Sequence, residues 1–278
     1  MTLRAPAKLN LCLYLGRRRD DGLHELRSLF CPITLSDRIV VRDAERDVVV
    51  CPEVEGPNIA EAALTGLRAR GWSRDPVRVE IEKRIPVAAG LGGGSADAAA
   101  VLRLARGEVD DLDGLAAEIG ADVPSQLDPV FALVGGAGEV IEPLPAPAHF
   151  GIVLIPDEEG LSTAGVYEEA DRLGLGRDPA ELEEVTRALR QAASGRGSPL
   201  DYRELLVNDL ARATLSLRPR IGEALAALRE AGAEVTLVTG SGPTAFGLFE
   251  DIAAADAAVG RLGPRFAGAI VAGPDPGR

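Results

Sequence analysis

Lysine is almost missing from this 278-residue sequence: 28 of its 30 basic residues are arginine, and only Lys8 and Lys83 break the pattern. Basic charge is scarce overall, since 43 acidic residues bring the net charge to −13. That balance excludes a protein that holds nucleic acid on a broad basic surface. It leaves room for a small anionic ligand, which needs only a local positive potential. Cysteine is scarce too. Cys12, Cys31 and Cys51 form no C-x-x-C pair, which excludes a disulfide framework and points to reduced thiols in the cytoplasm. No apolar run approaches the ~18 residues of a membrane span. The opening Met1-Thr2-Leu3-Arg4-Ala5-Pro6 lacks the apolar stretch of a secretory signal. Internal repeats and low-complexity tracts are absent. What remains is an ordinary globular composition, 46% apolar and 26% charged, long enough for one large domain or two medium ones.

The rarity of lysine gives the two that occur some weight, because a compact ammonium does what a planar guanidinium does not. Lys8 lies in an alternating segment, with Leu9, Leu11, Leu13 and Leu15 on one face and Lys8, Asn10, Cys12 and Tyr14 on the other. That alternation predicts a half-buried strand. Lys8 and Asn10 then project from one face, roughly 6–7 Å apart at ~3.3 Å per residue. Lys8 is equally readable as an edge-strand guard against aggregation. A polar loop follows over 17–26. Residues 38–43 and 47–52 predict a hairpin. Residues 58–70 predict a helix with Asn58 as N-cap and Gly71 just past its end, and 77–81 a strand. Helices are expected at 95–106 and at 112–119, the latter stopped by Gly120, and a second hairpin at 130–134 and 138–142. Three prolines in Pro143-Leu144-Pro145-Ala146-Pro147 mark a linker, dividing 1–146 from 147–278. Beyond it, strands are expected at 151–155, 234–238, 244–249 and 267–271. Helices are expected at 163–173, 179–192, 203–217, 219–230 and 251–261. This is an α+β layout, an antiparallel sheet covered by helices on one face. The tail Pro274–Arg278 is expected to fray.

The strongest local signal is Pro86-Val87-Ala88-Ala89-Gly90-Leu91-Gly92-Gly93-Gly94-Ser95-Ala96-Asp97, which follows a strand and opens a helix. Its glycines let the backbone pass close to a ligand with N–H groups turned inward, and the helix N-terminus adds a favourable dipole. Such a loop cradles a polyphosphate without net positive charge. No Lys-Ser/Thr follows the glycines, so it is not a Walker A motif. No βαβ unit surrounds it, so it is not a dinucleotide fingerprint. A flexible turn is the simpler alternative. Asp122, in Gly120-Ala121-Asp122-Val123-Pro124, suits a base that takes a proton from a substrate hydroxyl in a phosphoryl transfer. A nearby lysine would keep it ionised. The plainer alternative is a turn aspartate bonded to its own backbone. His24 lies in a charged loop, where a solvated ring is the plain expectation. Thr239-Gly240-Ser241-Gly242-Pro243 sits between two strands as a turn, with hydroxyls and glycines that also allow close approach of a ligand.

Together these segments resemble the GHMP small-molecule kinase superfamily, which includes galactokinase, homoserine kinase and mevalonate kinase. Pro86–Ala96 resembles its P-x-x-x-G-L-G-S-S-A loop and Thr239–Pro243 its late glycine-rich turn. Further pieces match in order over nearly the whole chain. They are Pro6-Ala7-Lys8-Leu9-Asn10-Leu11, Asp21-Gly22-Leu23-His24-Glu25-Leu26, Pro57-Asn58-Ile59, the glycine loop, Gly120–Pro124 and Asn208-Asp209-Leu210. They resemble the branch that phosphorylates a cytidine-diphosphate-linked methylerythritol in non-mevalonate isoprenoid biosynthesis.

The resemblance implies an α+β, two-lobed GHMP kinase fold. Its N-terminal lobe would be like ribosomal protein S5 domain 2, its C-terminal lobe ferredoxin-like, and its active site would lie in the cleft between them. It implies ATP and Mg²⁺ as cofactors, a small-molecule substrate, and a cytoplasmic monomer or weak homodimer. It makes Asp122 the base for the substrate's 2-hydroxyl and Lys8 the charge that keeps Asp122 ionised and contacts the reacting groups. Asn10 would orient the substrate, His24 with Leu23 would meet the cytosine, and Thr239, Gly240, Ser241 and Gly242 would also face the substrate. Pro86, Val87, Ala88, Ala89, Gly90, Leu91, Gly92, Gly93, Gly94, Ser95 and Ala96 would hold the ATP phosphates, Asn58 would lie near the adenine, and Ser95 would reach Mg²⁺. Three places depart from the family pattern, one of them the loop itself, which reads Gly94-Ser95-Ala96-Asp97 where a second serine is frequent. Leu23 stands where an aromatic commonly stacks on cytosine, and Ser125-Gln126-Leu127-Asp128-Pro129 is more polar than the usual aromatic or apolar run. Aromatic residues make up only 4% of the chain, which accounts for Leu23 without a change of substrate. A GHMP kinase for a different alcohol, and a relative that binds ligand without catalysis, remain open.

Overall fold

The computed structural model describes residues 1–54, 56–157 and 159–277. The chain divides into two compact units that interleave along the sequence. The first is built from Met1–Lys8, Leu35–Val87 and Gly92–Pro129, the second from Leu9–Thr34, Ala88–Leu91 and the chain from Val130 onward. Strands β1 (Thr2–Arg18) and β2 (His24–Asp43) each supply residues to both.

In the first unit, β4 (Val77–Glu82) lies between β3 (Val48–Val50) and the C-terminal half of β2. It runs antiparallel to β2, from Arg38 opposite Glu82 to Asp43 opposite Val77, and parallel to β3. The expected hairpin of 38–43 with 47–52 is therefore not formed. Asp47 supplies the reason: its carboxylate accepts the Val77 N–H at 2.9 Å and is gripped by Arg68 at 2.6 and 2.9 Å, which starts β3 beside β4. Alternate residues Ile39, Val41, Val77, Val79 and Ile81 are buried against α1 (Ile59–Ala69), α2 (Gly93–Leu102), α3 (Leu112–Ile119) and α4 (Val123–Leu127). The intervening residues form surface pairs such as Arg38–Glu82 at 3.2 Å and Arg42–Glu80 at 3.6 Å. Each such pair contributes about 0–1 kcal/mol, whereas each buried Leu or Ile contributes about 1.5–3 kcal/mol, so the apolar face holds this unit together.

From Ala96 onward helix α2 is buried, with Ala96, Ala98, Ala99 and Ala100 fully so, and its small side chains let α1 and α4 close around it. It starts at Gly93, two residues ahead of the expected start, because Gly92 takes a left-handed conformation at φ 69° and its carbonyl accepts the Ala96 N–H at 2.9 Å. It ends at Leu102, and residues 103–105 tighten into a 3₁₀ turn.

The second unit contains an antiparallel sheet of β7 (Gly151–Ile155), β8 (Val235–Val238), β9 (Ala245–Phe249) and β10 (Ile270–Ala272), in the order β10-β7-β9-β8. Counted along the chain, that order is fourth, first, third, second, the expected ferredoxin-like arrangement. Helices α8 (Ile221–Glu230) and α9 (Ile252–Val259) bury Ile221, Leu228, Ala255 and Ala258 against Val153, Ile155, Val238 and Phe249. Helices α5 (Thr163–Leu173) and α6 (Pro179–Ala193) match expectation. The single helix expected over 203–217 is instead a 3₁₀ segment, Pro199–Leu205, and a separate α7 (Ala211–Leu217). Asn208 interrupts it by donating through Nδ2 to the carbonyls of Val238 and Gly240, both at 2.7 Å.

The hairpin of β5 (Ala132–Gly135) and β6 (Val140–Pro143) forms as expected, and β5 pairs with β2 through Ser28 opposite Val134. From Leu9 to Gly16, β1 is buried on both faces rather than one. Leu13 and Leu15 pack against Val166 and Ala170 of α5 and Leu210 and Ala213 beyond it. The residue 205–209 loop satisfies the polar groups: Tyr14 Oη donates to the Leu205 carbonyl at 2.9 Å, and the Leu13 N–H to Val207 at 2.7 Å. Cys12 and Cys31 are free and buried, and burial pushes both thiols up to about 12. Among the described residues, no helix is long and apolar enough to cross a membrane.

Candidate active site

Lys8 closes the first-unit stretch of β1, and its Nζ lies 3.4 Å from Asp122 Oδ2, the two side chains 9% and 37% exposed. Asp122 immediately precedes α4, yet its carboxylate caps nothing. The turn is secured without it: the Val123 N–H bonds the Gly120 carbonyl at 3.1 Å, and Ser125 Oγ donates to the Asp122 carbonyl at 2.8 Å. The carboxylate is thereby left facing Lys8, and the turn-aspartate alternative does not hold.

Both lysines pack beside the first turn of α2. A Cβ on Gly92 would stand 2.9 Å from Lys8 Cγ, and one on Gly93 would stand 3.1 Å from Lys83 Nζ. Only glycine lets the loop approach this closely. The start of α2 has no side-chain cap and no acidic residue in its first turn, so its N–H groups remain available to an anion. These features fit a nucleotide's phosphates. Ser95 is half-buried in this first turn. Among the described residues, no group of three or more His, Cys, Asp or Glu could hold a metal ion.

Lys83 belongs to a buried network that the sequence did not reveal. Its Nζ bonds Asp97 Oδ2 at 2.8 Å and also Asp37. Asp37 Oδ1 accepts the N–H groups of Arg84 and Ile85 at 2.6 and 2.8 Å, so the network ties β2, the 84–85 turn and α2 together. Burial pushes Asp97 up to about 7 against the opposing pull of Lys83. Asn58 serves as the N-cap of α1, its Oδ1 accepting the Ala60 N–H at 2.9 Å. Pro86 and Val87 lead into the loop, Val87 with its side chain exposed.

In the second unit, the Ala88–Leu91 part of the loop meets the turn between β8 and β9. Thr244 Oγ1 donates to the Ala89 carbonyl at 2.7 Å, and a Cβ on Gly90, at φ 74°, would strike the Gly242 carbonyl oxygen. Asn10 holds the same turn, its N–H donating to Thr239 Oγ1 at 3.0 Å while its Nδ2 donates to Ser28 Oγ at 2.9 Å. Ser241 Oγ lies 3.1 Å from Thr163 Oγ1. The turn is thus anchored from β1, from α5 and by Asn208.

His24 is buried, contrary to the solvated ring expected. Its Nε2 lies 2.7 Å from Asp171 Oδ1, and because a carboxylate only accepts, that nitrogen carries the hydrogen. The Tyr167 ring centroid is 5.2 Å from the His24 ring, while Leu23 is 53% exposed. An aromatic neighbour for His24 therefore comes from α5 rather than from the preceding residue. Sequence reasoning missed Tyr167 and Asp171. The i, i+4 spacing on a helix whose Val166 and Ala170 face the core gives their stripe, but nothing local ties that stripe to His24.

The sequence matches the GHMP kinases N terminal domain over residues 58–136 and the GHMP kinases C terminal domain over residues 192–267. A Saccharopolyspora erythraea protein named 4-diphosphocytidyl-2-C-methyl-D-erythritol kinase is 41% identical over 100% of this chain and 92% of its own length. A Mycobacterium tuberculosis protein of the same name is 40% identical over 88% of this chain and 80% of its own. The crystal structure of a 4-(cytidine 5'-diphospho)-2C-methyl-D-erythritol kinase superposes with a TM-score of 0.78 at 34% identity, covering 98% of each chain. A homoserine kinase from Cytophaga hutchinsonii, at 17% identity and a TM-score of 0.69 over 99% of this chain and 94% of its own, shares the fold.

Proposed function

The chain belongs to the GHMP kinases, in the 4-diphosphocytidyl-2-C-methyl-D-erythritol kinase family, and from that membership we propose that it transfers the γ-phosphoryl group of ATP to the 2-hydroxyl of 4-diphosphocytidyl-2-C-methyl-D-erythritol, releasing ADP. The observation that carries this reading is the 3.4 Å approach of Lys8 to Asp122. Asp122 accepts the proton of the attacking hydroxyl as the new oxygen–phosphorus bond forms and the bond to the ADP oxygen breaks. Lys8 offsets negative charge on the moving phosphoryl group. The free N–H groups at the start of α2 and the 88–91 segment hold the nucleotide phosphates. Ser95 is the side chain that would hold Mg²⁺, which would supply charge neutralisation to the nucleotide's phosphates. Asn58 is assigned to the adenine side.

Asn10 and the Thr239–Gly242 turn orient the alcohol. His24, with Nε2–H committed to Asp171, presents Nδ1 to the cytosine edge, and Tyr167 offers the ring on which the base stacks; Leu23 adds an apolar contact. Residues 1–146 and 147–278 form the N- and C-terminal GHMP domains in chain order, a division supported by the separate matches at 58–136 and 192–267. By this reading the chain acts in the cytoplasm, in the non-mevalonate isoprenoid route, on a small molecule, as a monomer or weak homodimer. The test is ADP release with 4-diphosphocytidyl-2-C-methyl-D-erythritol offered beside homoserine, mevalonate and galactose. Release with the cytidyl substrate alone is the expected result, and release with another alcohol overturns the substrate assignment.

A further inference from the structure

Ala88 is one of two non-glycine residues, among those described, with a left-handed backbone, at φ 56°. The other, Asp111, is accounted for by its own side chain, which caps α3 by accepting the Gly114 N–H at 3.0 Å. Ala88 has no such bond to offer. A residue with a Cβ is strained in this conformation, and the strain persists only where the surroundings hold it. Ala88 opens the 88–91 segment of the second unit, and its methyl is seated on Gly160. A Cβ on Gly160 would stand 3.0 Å from the Ala88 Cβ, tighter than ordinary contact. Gly160 does not itself have a left-handed backbone. Among the described residues beyond its chain neighbours, the only other atom such a Cβ would meet is the Ala88 carbonyl oxygen, at 3.9 Å. The gap between the two residues therefore fits one methyl group and not two.

Gly160 is held in turn from the link between α7 and α8. Arg218 Nη2 donates to the Gly160 carbonyl at 3.4 Å. Arg218 Nη1 pairs with Glu159 and lies 3.7 Å from Asp157 Oδ1. Arg220 Nε donates to Asp157 Oδ2 at 2.7 Å. The other end of the 88–91 segment is held from the same place. Gly90 lies against the Gly242 carbonyl, and a Cβ on Gly242, at φ 82°, would stand 2.9 Å from Thr214 Cγ2. Thr214 Oγ1 also donates to the Ser241 carbonyl at 3.2 Å. Thr214 and Arg218 are joined directly, since the Arg218 N–H donates to the Thr214 carbonyl at 2.8 Å where α7 ends. We infer that Gly160 and Arg218 are positioning residues for the nucleotide: the end of α7 grips the 88–91 segment at both ends, at Ala88 through Arg218 and Gly160, and at Gly90 through Thr214 and Gly242. The strain at Ala88 is what this grip maintains, and it sets the segment in its binding form before the phosphates arrive. This rests on the reading above that residues 88–91 hold the nucleotide phosphates.

The experiment measures the affinity of the full chain for a non-hydrolysable ATP analogue by calorimetry, with KM and kcat from ADP release beside it. G160A puts two methyl groups where one fits and is expected to weaken the analogue about tenfold. Its KM for ATP should rise in step, with KM for the alcohol within about twofold of wild type. A88G releases the segment and is expected to weaken the analogue about threefold. The double variant A88G/G160A moves the methyl to the other side of the same gap, and is expected to return the affinity to within about twofold of wild type. R218Q removes the hold on Gly160 and is expected to weaken the analogue about fivefold. It carries the test together with the double variant if G160A does not fold. Unchanged analogue affinity in R218Q or in a folded G160A overturns the inference. So does a double variant no tighter than the product of the two single losses allows. A lower melting temperature of G160A with its analogue affinity intact overturns it in favour of a contact that serves folding alone. A wild type that binds no analogue overturns the phosphate reading of residues 88–91, and this inference with it.

Discussion

His24 and Asp171 are hydrogen-bonded at 2.7 Å across 147 positions of sequence, and the helix that supplies Asp171 also supplies Tyr167, four residues earlier, to the same imidazole. One helix thus fixes the tautomer of the ring and sets an aromatic face beside it. A histidine oriented in this way reads a base edge by a single nitrogen, and the tyrosine contributes area rather than direction.

If this pair receives the cytosine, Y167A is expected to raise KM for the cytidyl substrate by roughly tenfold, since stacking of a base on an aromatic ring contributes about 1–3 kcal/mol. The kcat should stay close to the wild-type value, and Y167F should be nearly silent. Initial rates at saturating ATP, with the alcohol varied, check the split.

Removing the Asp122 carboxylate, the base in the proposed transfer, is expected to give the opposite signature. D122N is expected to lower kcat by about 10²–10⁴-fold while leaving the affinity for a non-hydrolysable ATP analogue, measured by calorimetry, within a few-fold of wild type. An unaltered kcat would remove Asp122 from the chemistry.

Asp97 gives a pH dependence with a definite sign. Burial holds it at about 7 in the folded chain against an ordinary 3.8, so the folded protein keeps a proton that the unfolded chain releases. Its contribution to stability is complete below about pH 4, is lost as the pH rises towards about 7, and is constant above, with a slope of at most ~1.4 kcal/mol per pH unit. D97N abolishes this contribution. The melting temperature of the wild type minus that of D97N is therefore expected to fall between about pH 4 and pH 7, and a flat difference would contradict the assignment.

Asn58 can be tested for two jobs at once. N58A removes the α1 cap and is expected to cost about 1 kcal/mol of stability, visible as a lower melting temperature. N58D preserves the cap. A KM for ATP that rises in N58D without loss of melting temperature assigns the amide to the nucleotide; an unchanged KM confines Asn58 to its helix.

Local chemistry was legible where it was self-contained. The end of α3 at Gly120 and the cap of α1 at Asn58 follow from residues adjacent in sequence. The turn of β5 and β6 follows from Gly135 and Gly136. The family pattern carried Lys8, Asp122 and the glycine loop. What it could not carry were pairings decided elsewhere. Asp47 chooses β4 over β2 as the neighbour of β3 through a bond to Val77, thirty residues on. The second face of β1 is covered by a loop near residue 207, so its alternation of leucines with polar residues looked half-exposed. His24 looked solvated for the same reason, because its partners sit on α5. Lys83 stood out only as a rare residue, and its two aspartates come from separate elements.

The interleaving of the two compact units has a consequence for how this chain can be divided. No single cut leaves both units whole: a break after Pro129 spares the first but strips the second of residues 9–34 and 88–91. With them go Leu13 and Leu15, which fill the core beneath α5, and Ala89, which receives Thr244. The two halves are not modules that a gene fusion could exchange by one crossover. Recombination with another member of the family preserves both only if it swaps matched segments on either side of Lys8, Thr34, Val87, Leu91 and Pro129 together.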